Sequence, residues 1–278
     1  MASGADFLLD EPAAQSGALA GAFTARDSEL DCLRYNPAGL DGIRKLSVAL
    51  AHDSAAGDWS REWVAAAMPV QDLTLGAEAL ISTLQPFALY DGSGQTVGTA
   101  TAGSQNFALA AAGSLERWLK LGADLRYFRS QLYTYSSQGY AFDLGVHLGA
   151  PGWPLGLVLA IRNVGSQSAY IKVADPLPQC VRSGLEADWA LDSQIKLHPS
   201  LDLLAFQDSE RPTELRLGLE ATLFKSAMLR VGLAKAGELQ TFSGGLGVRW
   251  DGWGLDYAYL PDEGLGSTQM LELVMLGR

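Results

Sequence analysis

Three histidines, His52, His147 and His198, and two cysteines, Cys32 and Cys180, are the side chains best suited to metal or nucleophilic chemistry. The histidines fall in separate segments, and no His-Glu-x-x-His or paired Cys–His spacing joins them, so the spacing offers no metal site. Two cysteines are too few for a disulfide framework or a structural zinc site. They fit either one bridge in an oxidising compartment or two unrelated small side chains. No Gly-x-Ser-x-Gly elbow and no phosphate-cradling Gly-x-x-x-x-Gly-Lys occurs. Gly244-Gly245-Leu246-Gly247 lies inside an alternating segment, where glycine permits bending or close approach rather than nucleotide binding. Asp91-Gly92-Ser93-Gly94 lacks the spaced acidic ligands and closing Glu of a calcium loop and reads as a turn. The expectation is a protein without catalytic residues, cofactor or metal.

What remains is a set of charges on alternate positions. Asp124, Arg126, Asp143, Arg162, Arg182, Glu186, Glu214, Arg216, Glu220, Arg230, Arg249 and Asp256 lie on the polar faces of alternating segments, most of them between apolar neighbours or glycines. Leu215, Leu217, Leu219, Ala221 and Leu223, for example, alternate with Glu214, Arg216, Gly218, Glu220 and Thr222. A strand sends successive side chains to opposite faces, so such a segment has one oily and one polar face. The polar faces are expected to point into a barrel lumen, since Arg or Lys against lipid near the bilayer midplane costs about 2–4 kcal/mol. Mixed signs suit paired networks that fill a narrow barrel and anchor a plug. A polar pathway is the functional alternative.

Fourteen segments carry the pattern: 45–52, 62–70, 73–81, 106–115, 119–128, 139–150, 154–165, 179–190, 195–206, 213–224, 227–236, 239–250, 253–261 and 267–276. Pro199 removes a ladder donor from the ninth and suggests a bulge there. Connections after odd-numbered segments are mostly long (53–61, 82–105, 129–138, 166–178, 207–212, 262–266), with 236–239 an exception. Those after even-numbered segments are mostly tight (71–72, 116–118, 151–153, 225–226, 251–252). Long loops on one side and short turns on the other fit an outer-membrane barrel with both termini in the periplasm. Trp63, Trp118, Tyr127, Tyr140, Trp153, Trp189, Trp250, Trp253 and Tyr259 lie toward strand ends, as interfacial girdles would place them.

The chain has 278 residues, 48% hydrophobic and 18% charged, enough to bury a large apolar surface. A net charge of −11 argues against nucleic acid as partner. No apolar run reaches the roughly 20 residues of a membrane helix. Met1-Ala2-Ser3-Gly4-Ala5-Asp6 carries no basic region followed by an apolar core, so no leader is expected in this sequence. Residues 1–44 are rich in Ala and Gly and lack sustained alternation. They end in Tyr35-Asn36-Pro37-Ala38-Gly39-Leu40, where Asn-Pro turns the chain and Gly39 permits a second bend. Two units follow: a segment 1–44 needing cover inside a lumen, and an antiparallel transmembrane β-barrel of about 14 strands over 45–278. At Asn36 and Pro37 the bend either gates a passage or simply leads the chain into the first strand.

The stretch Gln15-Ser16-Gly17-Ala18-Leu19-Ala20-Gly21-Ala22-Phe23-Thr24-Ala25, followed by Tyr35-Asn36-Pro37-Ala38-Gly39-Leu40, resembles the opening signature of the PorV/PorQ family within the FadL-like group. Ala160-Ile161-Arg162-Asn163-Val164-Gly165, Pro176-Leu177-Pro178, Leu255-Asp256-Tyr257-Ala258-Tyr259 and Gly264-Leu265-Gly266-Ser267-Thr268 extend the resemblance along most of the chain. It implies a fourteen-stranded outer-membrane barrel whose N-terminal segment folds inward as a hatch, with Asn36, Pro37, Ala38, Gly39 and Leu40 as the hatch motif. It implies a non-catalytic accessory in type IX-like protein secretion or envelope transport, in contact with outer-membrane lipid and with secretion components or exported cargo. The alternative it implies is a FadL-like channel for hydrophobic small molecules. Two features depart from the family: the chain is shorter than typical members, and it ends Met275-Leu276-Gly277-Arg278 without the terminal aromatic common in such barrels.

Overall fold

A computed structural model describes residues 5–55, 57–149, 155–262 and 266–277. The alternating segments form β1 (Ser47–Ala55), β2 (Trp59–Val70), β3 (Leu73–Tyr90), β4 (Thr96–Glu116), β5 (Leu119–Leu132), β6 (Tyr135–Leu148) and β7 (Leu155–Gln167). After them come β8 (Cys180–Ala187), β9 (Trp189–Ala190), β10 (Ile195–Phe206), β11 (Glu214–Leu223), β12 (Ala227–Ala236), β13 (Leu239–Trp250), β14 (Trp253–Asp262) and β15 (Gly266–Leu276). Each pairs antiparallel with its neighbours, and β1 pairs with β15 from Ser47↔Leu276 to Ser54↔Gln269, closing the sheet. Because β8 and β9 share the partner β10, the closed barrel has fourteen strand positions.

The outer face is apolar. Leu157, Leu159, Ile161, Leu217, Leu219, Leu246, Val248, Leu255 and Leu273 are all exposed, a belt no water-facing surface of this size carries. Among the described residues no helix is long and apolar enough to cross a membrane. Trp118, Tyr140, Trp189, Trp250, Trp253 and Tyr259 are exposed on the outside. Trp63 is not. It is 2% exposed and donates from Nε1 to Glu78 Oε2 at 2.9 Å, so an indole taken for the girdle belongs to the interior. Trp153 lies outside the described residues.

Three of the expected long loops are strand instead. Segments 53–61, 82–105 and 129–138 continue their ladders, so β3 and β4 run 18 and 21 residues and meet at a turn over 91–95. The β3–β4 register shifts between Leu84 and Phe87 and again between Leu89 and Tyr90. The irregular connections are those before β8 and before β11, together with part of 262–266, of which 263–265 lies outside the described residues. At the other end the turns are tight. Asp251 and Gly252 (φ 47° and 83°) occupy the left-handed pair that the two-residue hairpin between Trp250 and Trp253 requires, and Phe224 and Lys225 (54° and 59°) are left-handed in the three-residue link between Leu223 and Ala227. The turn expected at 151–153 lies outside the described residues.

Pro199 does not cause a bulge. Its pairings with β11 stay in register, Pro199↔Leu219 included. The missing N–H instead leaves Asp188 unladdered, which divides β8 from β9 while Ser200↔Glu186 and Leu197↔Trp189 keep one alignment. Irregular register lies elsewhere, among other places between Phe142↔Val164 and Leu144↔Ile161, with Asn163 at φ 59°.

The N-terminal residues form two short helices, α1 (Ala14–Ala18) and α2 (Cys32–Tyr35), and two 3-10 turns (Asp6–Leu9 and Pro37–Gly42). They are buried against inward side chains of strands on every side. The first described residues lie at the end carrying the irregular loops, where Ala5 and Leu8 pack on Phe128, Ala141 and Leu177. The segment then runs to the end with tight turns, where Ser114 Oγ donates to Asp41 Oδ2 at 2.5 Å, before β1 begins. Cys32 and Cys180 are both buried and free.

Candidate functional site

The interior is organised by the inward charges and by the N-terminal segment that meets them. Asp124, Arg126, Asp143, Arg162, Arg182, Glu220, Arg230 and Asp256 are fully buried, and Glu186, Arg216 and Arg249 retain 12%, 13% and 20% of their side-chain exposure. Unpaired, such charges would be prohibitively costly, so their partners decide the architecture.

Three networks result. In the first, Glu78 accepts from Arg34 at 2.9 Å, Arg126 at 2.6 Å and Trp63, while Asp143 accepts from Arg162 Nε at 2.8 Å and from the Asn163 amide at 2.6 Å. In the second, Glu11 accepts from Arg216 at 2.6 Å and from Arg182 at 3.2 Å. Asp202 accepts from the Phe23 amide at 3.2 Å and from the Thr24 amide and hydroxyl. In the third, Arg230 bridges Glu220 and Asp256 at 2.6 Å each, Arg249 reaches Asp256 at 2.7 Å, and Arg26 spans Glu186 at 3.1 Å and Glu220 at 3.2 Å. Every network includes at least one residue of the N-terminal segment.

Titration of that segment follows its surroundings. Burial would raise Glu11, but Arg216 and Arg182 outweigh it and hold the carboxyl down at about 2. Burial dominates at Glu29 and lifts it to about 7 despite Arg249 and Arg26, and it lifts Asp31 to about 6.

The motif Asn36-Pro37-Ala38-Gly39-Leu40 is buried throughout. Asn36 Oδ1 accepts from the Ala38 amide at 3.1 Å, capping a 3-10 turn with Pro37 in its first turn. The motif presses on the wall where Gly122 faces Gly145 across β5 and β6. A Cβ on Gly122 would lie 2.2 Å from the Ala38 amide nitrogen, and one on Gly145 would lie 1.8 Å from Asn36 Oδ1.

Two sizeable cavities open at opposite ends. The tight-turn end holds a polar one of about 890 Å³, lined by Arg26, Glu29, Lys120, His147, Glu186 and His198 among others. The loop end holds one of about 790 Å³, lined by apolar Pro176, Leu177, Pro178, Phe206 and Pro212 and equally by polar groups, Asp6, Asp208, Glu210 and Arg211 among them. It lies where the wall is incomplete. β7 pairs with β8 only as far as Arg162↔Cys180, so Val164–Gln167 is laddered on the β6 side alone. The connection before β8 covers the free side: Asn163 Nδ2 donates to the Pro178 carbonyl and Gln167 Nε2 to that of Asp175, both at 3.1 Å.

The residues that tie the segment to the wall include Glu11, Glu78, Asp202 and Glu272, none of which stood out in the sequence. Glu272 sits between Leu271 and Leu273 and was readable by alternation. Glu78 lies between Ala77 and Ala79, where the contrast of faces is weak, and Asp202 follows Pro199 in an interrupted pattern.

The fold is that of FadL-type outer-membrane barrels. The Pseudomonas putida toluene transporter TodX superposes with a TM-score of 0.70 at 10% identity, over 96% of this chain and 97% of that one. The CymD monoaromatic hydrocarbon channel gives 0.65 at 12%, over 96% and 97%. A Pseudomonas aeruginosa FadL homologue gives 0.59 at 10%, over 94% and 97%. No family model and no curated protein sequence matches the chain. The wider FadL-like expectation fits these structures, whereas the PorV/PorQ assignment finds no counterpart among them.

Proposed function

We propose that the chain is a bacterial outer-membrane channel for small hydrophobic molecules, with the irregular loops outside and the tight turns in the periplasm, and that it works without catalysis. One observation carries the reading: the cavity at the loop end, with Pro176, Leu177, Pro178, Phe206 and Pro212 in its lining, adjoins the stretch of β7 that has no β8 partner. A ligand of about the size of a substituted benzene fits such a volume, and apolar walls with a few polar groups are the usual lining of small-molecule sites. The solved structures of the same fold include a toluene transporter and a monoaromatic hydrocarbon channel, which agrees with this reading over the secretion role. The N-terminal segment, tied through three charge networks, serves as the hatch that blocks direct passage along the axis.

The test is uptake of a radiolabelled monoaromatic hydrocarbon by cells whose outer membrane carries this chain. Uptake above that of cells lacking it, reduced by Leu177→Asp at the cavity wall, is the expected outcome. Equal uptake with and without the chain would reject the channel. Co-purification of secretion components from the outer membrane, which a small-molecule channel does not predict, would restore the secretion reading.

A further inference from the structure

The polar cavity at the tight-turn end contains a second arrangement, separate from the channel reading. His198 and Glu186 project inward from adjacent strands, and the register that pairs Ser200 with Glu186 and Leu197 with Trp189 brings His198 opposite Asp188. One carboxylate oxygen of each acid and one imidazole nitrogen lie within 4.8 Å of one another. His198 Nδ1 and Asp188 Oδ1 are in hydrogen-bond contact. Sequence spacing could not reveal this, because the ligands belong to different strands and meet only through the register. A cross-strand ion pair joins Asp188 and His198, and Glu186, held by Arg26, brings a second carboxylate to the same point. The same cavity is lined by a further imidazole: His147, 7% exposed, has an Nδ1 without a hydrogen bond, 3.9 Å from Asp27 Oδ2.

We infer that Glu186, Asp188 and His198 form a three-ligand site for a transition-metal dication of the zinc class. Three protein ligands beside an open cavity leave a further coordination position for water or another donor, as open zinc sites do. The imidazole sets the class, since magnesium and calcium take oxygen ligands whereas imidazole suits zinc, nickel and copper. Glu186 and His198 stand on laddered strands in fixed register, so two of the three ligands need little ordering on binding. Arg26 Nε lies 3.1 Å from Glu186 Oε1, so the metal would share this carboxylate with a guanidinium.

The experiment is calorimetric titration of the tag-free full chain, in detergent and stripped by chelator, with zinc chloride. One ion per chain is expected, with magnesium chloride giving no saturable heat. His198→Ala should weaken zinc binding at least ~10-fold, since even outer-shell partners are worth 10- to 100-fold in metal affinity. Asp188→Asn should weaken it in the same direction. The Asp188 side chain is 71% exposed and its replacement leaves packing intact, so this variant tests the site independently of folding. His52→Ala, which alters an exposed histidine paired with Glu62, should bind as the parent does. Absence of saturable zinc binding would overturn the inference, as would unchanged affinity in Asp188→Asn. Neither result bears on hydrocarbon uptake.

Discussion

Replacing Gly145 with alanine tests how tightly the hatch motif is held. A methyl group there would stand 1.8 Å from Asn36 Oδ1, 3.0 Å from its Cγ and 3.2 Å from Pro37 Cδ. Ordinary contact requires about 3.4 Å, so the Asn36–Pro37 turn must retreat by roughly 1.5 Å; overpacking of this kind costs about 1–3 kcal/mol. The retreat also breaks the Asn36–Ala38 bond that caps the turn, a further loss of about 0.5–1.5 kcal/mol. Together these amount to about 2–4 kcal/mol, which raises the displaced fraction of the segment roughly 30- to 900-fold. Trypsin reads that fraction in the folded barrel, because Arg34 is 1% exposed and is cut only when the segment leaves the lumen. Gly92→Ala serves as the control, since nothing lies within 4 Å of a Cβ at that position. Cleavage of Gly145→Ala at the rate of Gly92→Ala would refute the reasoning and show that the turn does not depend on this contact.

Other substitutions separate the forces at work. Glu78→Gln leaves Arg34 and Arg126 facing a neutral partner in a fully buried site, and urea unfolding should show a loss of about 3–5 kcal/mol. Glu11 is held near 2 against an ordinary 4.5, so its contribution is complete above pH 4.5 and is lost as pH falls toward 2. Glu11→Gln should therefore flatten the acid limb of a stability–pH curve measured over that window. Glu29, raised to about 7, acts with the opposite sign: the folded chain keeps a proton the unfolded chain has released, so stability declines as pH rises from 4.5 to 7. Glu29→Gln should remove that decline. Leu217→Arg places a cation on the lipid-facing belt in mid-strand, and refolding into bilayers should report a cost of about 2–4 kcal/mol.

Much of the barrel could be read because one face of each strand meets hydrocarbon and the other a wet, crowded interior. In β11 the contrast of Leu217 and Leu219 with Arg216 and Glu220 leaves no ambiguity of type or face. The upper parts of β3 and β4 were illegible for the converse reason. From Gln85 to Thr101 the sequence is mostly Ala, Gly, Ser and Thr, and a ribbon with both faces outside the bilayer has no reason to alternate. Trp63 was misplaced because an aromatic near a strand end suits a headgroup as well as it suits a buried acceptor, and only Glu78 across the ladder decides between them. Partners within the lumen were beyond reach of pattern reading. Arg216 meets Glu11 across 205 positions of sequence, and no local rule specifies such a pair.

The unequal strand lengths give the molecule a tilted rim. At about 3.4 Å per residue and a slant near 40°, the 21 residues of β4 rise about 50 Å, whereas the ten of β11 rise about 25 Å, the height of the apolar band itself. One flank therefore stands well clear of the headgroups while the other ends level with them. The recess beside Leu177 and Phe206 opens at the low flank. A greasy solute partitioned into the outer leaflet would find that entrance at its own depth, while one arriving from water would first meet the tall flank as a screen.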